Sequence, residues 1–187
     1  MYTGLLHLHS GLRWLILLIL MVVLVKYFLG WFSQSKWKKV DNILGIVFTS
    51  LMDLQLLVGL ILYFFVSPIT KAAFQDFGAT MKNADLHFIA VEHFLLMLLA
   101  VVFVHIGRSR SKKAKTEKGK FGKALFWFAF SCLLILAGIP WNRIWMRLNH
   151  NALKIYWFKR WIKFRNNSHN KNKLKIGDRK RGRMDDL

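Results

Sequence analysis

Two histidines of this chain stand at similar depth in two different apolar runs, and an arginine follows one of them by a helical turn. His9 lies four residues into the run 5–25, about 6 Å from its start at the helical rise. His93 lies seven residues into the run 86–106, about 10 Å from its start. Ionisable side chains inside such runs are costly and point to function. Two neutral imidazoles facing each other across a helical bundle are what an axially bis-histidine haem b requires. Arg13, at i+4 from His9, shares its face. A guanidinium keeps its charge and needs an anion. Haem propionates would supply one. Glu92, beside His93, would supply another, and an Arg13–Glu92 salt bridge would then lock the first and third helices.

His105 follows His93 by twelve residues, about 18 Å along a helix, and cannot share its metal. It would ligate a second haem only with a partner on the second or fourth run. The fourth has no histidine, and the second offers Asp53 and Gln55 near its middle. The other reading of His105 is interfacial, next to Gly107 and Arg108 at the inner end. Asp53 and Gln55 read as a proton relay, a quinone contact, or interhelical hydrogen bonds; no chain of carboxylates favours the relay. His93 and Met97 at i+4 allow copper handling, though methionine at that spacing commonly packs. Cys132, the single cysteine, excludes an intramolecular disulfide and cysteine-based clusters. No H-E-x-x-H, phosphate loop or nucleophile motif is present.

The elements that hold these residues are four apolar runs, 5–25, 43–66, 86–106 and 124–141, each near the length that crosses a bilayer as a helix. None alternates with the period of a strand. The fold expected is all-α: an integral membrane four-helix bundle over 1–143, with a basic, partly amphipathic tail over 144–187. The chain is both oily and basic, 55% hydrophobic with a formal net charge of +20, so the two characters must be segregated. That composition excludes an ordinary soluble enzyme and a disordered chain. No Lys or Arg precedes Arg13, so the first run reads as a retained helix rather than a signal peptide.

The connection 107–123 carries eight basic residues against Glu117, whereas 67–85 is balanced. The positive-inside rule therefore places 107–123 in the cytoplasm and the N-terminus outside. Between two spans, the basic run Arg108–Lys115 meets anionic lipid headgroups rather than nucleic acid. The end of the chain, 142–187, holds 14 basic and 3 acidic residues and would lie outside, against that bias. Within it, Leu153, Tyr156, Trp157, Trp161 and Phe164 recur at helical spacing, which predicts an interfacial helix over 153–165, followed by disorder.

Several stretches resemble a family of small bacterial four-helix membrane proteins labelled cytochrome b or cytochrome b-like. They are His7-Leu-His-Ser-Gly-Leu-Arg-Trp14, Leu54-Gln-Leu-Leu-Val-Gly59 with Tyr63, Val91-Glu-His93, His105-Ile-Gly107 and Gly138-Ile-Pro-Trp141. The resemblance covers residues 1–143. It implies a haem b protein of the bacterial inner membrane, acting in respiratory electron transfer with a quinone pool or a respiratory complex as partner. Under it, His9, His93 and His105 are the motif histidines, and Asp53 stands where the pattern often has histidine. The cofactor-binding set is then His9, Arg13, His93 and His105, with His9 and His93 as metal ligands and one haem b between them. The alternative function is a non-haem accessory subunit, or a proton or ion carrier, built on Asp53 and Glu92.

Overall fold

The computed structural model describes residues 1–141, and these are helical with no strand among them. Four helical stretches are long and apolar enough to cross a membrane: Tyr2–Phe32, Lys39–Val66, Ala84–Lys112 and Glu117–Gly138. In chain order the helices are α1 (Tyr2–Phe32), α2 (Lys39–Ile61), α3 (Pro68–Gln75), α4 (Phe77–Lys82), α5 (Ala84–His87), α6 (His93–Lys112) and α7 (Glu117–Gly138). A π-helical turn, π1 (Leu62–Val66), continues α2, and a second, π2 (Phe88–Glu92), joins α5 to α6.

Residues Met1–Pro140 form one compact unit. The expected interfacial helix at 153–165 and the disorder beyond it lie outside the described residues. Each apolar run is extended by polar residues that stay helical, so α1 reaches Phe32 and α6 reaches Lys112. At the other end α7 stops at Gly138 because Pro140 cannot continue a helix.

Residues 67–85, expected only as a connection, fold into α3, α4 and α5. The caps explain this. The Ser67 side chain accepts from Thr70 N with Pro68 at the first helical position, Asp76 Oδ1 accepts from Ala79 N at 2.8 Å, and Asn83 caps α5. Ala73 and Thr80 tuck inward, Thr80 donating its hydroxyl to Ala73 O at 3.0 Å.

Among the long helices, α6 packs most extensively on α7, and α1 packs on both α2 and α7, while α2 packs on α6. The ring closes as α1–α2–α6–α7, which leaves α1 and α6 diagonal to each other. Ser131 Oγ donates to Ala100 O at 3.0 Å across α6 and α7. At the basic end, Tyr27, Trp37, Phe121 and Phe128 form an aromatic core, and Tyr27 donates its hydroxyl to Asp41 O at 2.7 Å. Large apolar side chains such as Leu18, Met21, Phe126 and Leu133 face outward. A surface of that kind suits lipid rather than water and is consistent with a multi-pass membrane protein.

Candidate functional site

The diagonal placement of α1 and α6 brings His9 and His93 together in the bundle interior, in an edge-on contact. Their ring centroids are 6.2 Å apart and their planes cross at 76°. Two imidazoles on one metal, each nitrogen about 2 Å from it, have centroids roughly 6 Å apart. His93 Nδ1 lies 2.6 Å from Gly138 O, and a carbonyl can only accept, so the proton sits on Nδ1. That leaves the Nε2 lone pair for a ligand, the tautomer that metal-binding histidines take when a carbonyl holds their other nitrogen.

His9 is fixed from α2. Gln55 Nε2 donates to His9 O at 2.9 Å and lies 3.4 Å from His9 Nε2. His9 Nδ1 is buried with no hydrogen-bond partner among the described residues. Gly59 makes room for the ring: a Cβ there would sit 3.2 Å from His9 Cε1.

The two π turns flank the site, as such turns commonly do. π1 carries Tyr63, which donates to Ala90 O in π2 at 2.6 Å and stacks on Phe94 at 4.7 Å. π2 ends at Glu92, directly before His93. A pocket of about 50 Å³ is lined by both imidazoles together with Met52 and Met97. Two histidines are the donors that a haem iron or a metal ion would use here, with His93 Nε2 left free by the carbonyl; among the described residues no group of three or more His, Cys, Asp or Glu is placed to hold a metal ion. The volume admits a metal ion as it stands, whereas a drug-sized or larger group needs roughly 300 Å³ or more. A macrocycle therefore requires the surrounding helices to part.

The remaining sequence candidates fall in other places. Arg13 is half-buried, its guanidinium 5.2 Å from the Trp14 ring. The expected Arg13–Glu92 salt bridge is not among the ion pairs of the described residues; Glu92 meets His87 Nδ1 at 3.0 Å. His87 is one turn before Glu92 on the same helical stretch, so the local partner wins.

His105 Nε2 lies 2.8 Å from Asp53 Oδ1, which commits that nitrogen and provides no second histidine for a second metal. Asp53 and His105 were expected at different depths. The side chains nevertheless meet, with His105 seven residues before the end of α6. The pair is outward-facing, with about half of each side chain exposed (His105 53%, Asp53 48%). In hydrocarbon such groups are tolerated only as partners. His105→Leu should therefore destabilise the protein by about 1–3 kcal/mol through the stranded Asp53, and His105→Leu/Asp53→Leu should recover most of that loss. Thermal unfolding in one detergent compares them; equal stability of the single and double variants would show that the pair carries no energetic coupling.

Sequence reading missed the Gly138 carbonyl, Tyr63–Ala90 and the contribution of Met52. The Gly138-Ile-Pro-Trp141 stretch was the available signal for the first, since a proline there exposes the last carbonyls of α7. No family model matches this chain, and neither a curated protein nor a solved structure does.

Proposed function

We propose that the protein is a multi-pass protein of the bacterial cytoplasmic membrane that binds one haem b between His9 and His93 and passes electrons within a respiratory chain. The observation that carries this reading is the opposed imidazole pair at 6.2 Å, with one tautomer fixed by a backbone carbonyl. Haem supplies a one-electron redox centre. The chain's own part is to hold the two imidazoles neutral, exclude water with Phe94 and Tyr63, and meet a propionate with Arg13, one turn from His9. The test is the reduced-minus-oxidised visible spectrum of haem-supplied protein, with loss of the α-band in His9→Ala/His93→Ala.

A second reading is favoured by the pocket's size and its two thioethers. Soft sulfur and imidazole donors select copper(I), and Met52 and Met97 line the same space as His9 and His93. Elemental analysis of protein made with both haem precursor and copper separates the two: iron at one per chain supports haem, copper at one per chain replaces that reading.

The proposed orientation keeps the N-terminus and 67–85 outside and 107–123 in the cytoplasm, which puts His9 and His93 toward the outer leaflet. Ser111 and Thr80 are buried and would report nothing to a thiol reagent, whereas Lys115 and Ala79 are exposed. In a Cys132→Ser background, an impermeant reagent on intact cells should label Ala79→Cys and spare Lys115→Cys. The opposite pattern inverts the orientation.

A further inference from the structure

At the basic end of the bundle, far along the helices from the histidine pair, a second pocket of about 190 Å³ opens among all four long helices and the 33–38 connection. Its cationic wall is Arg108 and Lys112 from α6 and Lys120 from α7; Tyr27, Trp37 and Phe128 form the aromatic wall.

The charges around it do not balance. Glu117 is taken by Lys120 Nζ at 2.7 Å and by the Trp37 backbone N–H. Asp41 is taken by the Lys38 backbone N–H at 2.8 Å, with Lys26 Nζ at 3.7 Å. Arg108 and Lys112 are left with no carboxylate within ion-pair distance among the described residues. Arg108 is half-buried, and its one hydrogen bond runs from Nη1 to Asn42 O at 3.4 Å. A guanidinium in that setting keeps its charge and lacks an anion.

The local backbone is built to admit it. A Cβ on Gly45 would lie 2.8 Å from the Tyr27 hydroxyl and 3.0 Å from Arg108 Nη1, so only glycine leaves both groups in place. Ser111 Oγ donates to Lys120 O at 2.9 Å, which ties the α6 end to the α7 start across the pocket floor. A planar donor fork, a second cation and room for a tetrahedral group are what a phosphate requires. Basic pockets between spanning helices at the headgroup level take anionic lipids.

We propose that this pocket is a phosphate-binding site, filled by the headgroup of an anionic phospholipid or by free phosphate. It is independent of the haem reading. The test uses the full-length protein, delipidated in neutral detergent, and follows the thermal unfolding midpoint against added phosphatidylglycerol, phosphatidylcholine and inorganic phosphate. Phosphatidylglycerol should raise the midpoint saturably and phosphatidylcholine should not. If inorganic phosphate also raises it and competes, the free anion is a ligand; if only phosphatidylglycerol does, the source is lipid. Arg108→Gln should weaken the apparent affinity about tenfold, the loss of a charge-assisted hydrogen bond. Lys112→Gln, at an exposed position that does not endanger folding, should weaken it several-fold, and Lys71→Gln on α3 should leave it unchanged. No shift with either phosphate source, or the same affinity in wild type and Lys112→Gln, would overturn the site.

Discussion

His93→Ala and His9→Ala will each abolish the reduced b-type α-band of haem-loaded protein, and His105→Ala will leave it in place. The expectation rests on where the nitrogens are. His9 and His93 are opposed at 6.2 Å across the bundle diagonal, and the proton of His93 is held on Nδ1 by Gly138 O. Under the proposed haem reading, removing either imidazole would leave the iron a single histidine donor from the chain. His105 Nε2 is bound instead to Asp53 on the adjacent helix. A methionine in place of His9 would test ligation more finely: if haem is held there, a thioether donor would raise its reduction potential. A bare packing role for His9 would give no such shift. Spectral loss in His105→Ala with retention in His93→Ala would move the haem away from the diagonal pair.

Gly107→Ala will destabilise the bundle by about 1–3 kcal/mol, the cost of overpacking a filled interface. The added Cβ would meet Trp127 Cβ at 2.7 Å and the Phe128 ring at 3.1 Å. Neither can swing away: one is anchored to the α7 backbone, and Phe128 is buried at 1% exposure against Tyr27 and Phe48. Small residues let spanning helices approach closely where no hydrophobic effect drives them together. Gly11→Ala is the matched control, since nothing lies within 4 Å of its Cβ position. That change should stabilise by up to about 1 kcal/mol through helix propensity. Unfolding in one detergent ranks the two variants. Equal stability would mean that α6 and α7 are not packed at this register.

The four spanning helices were legible because apolar composition over helical length is a signal no local competitor imitates. Their ends were not: Lys39 and Lys112 are polar and yet helical, and hydropathy stops counting before the backbone stops coiling. Depth along the runs also set Asp53 and His105 apart, whereas their side chains meet at 2.8 Å. The His9–His93 pairing was readable from depth alone, because depth needs only the helical rise. Its supports were not readable. The Gly138 carbonyl and the Ala90 carbonyl belong to the backbone, which side-chain patterns do not report. Glu92 was read toward Arg13 across the bundle, and its local neighbour His87 at 3.0 Å satisfied it first. The short helices α3, α4 and α5 were hidden by their brevity, although Ser67-Pro68, Asp76 and Asn83 each carried capping chemistry in plain view.

The most direct test of the central claim is haem and metal content measured together on the wild-type protein, purified from cells supplied with haem precursor. A pyridine haemochrome of type b at about one per chain, with matching iron and no copper, is the predicted result. Protein that is folded and pure but carries no haem, or that carries copper in its place, would contradict the account.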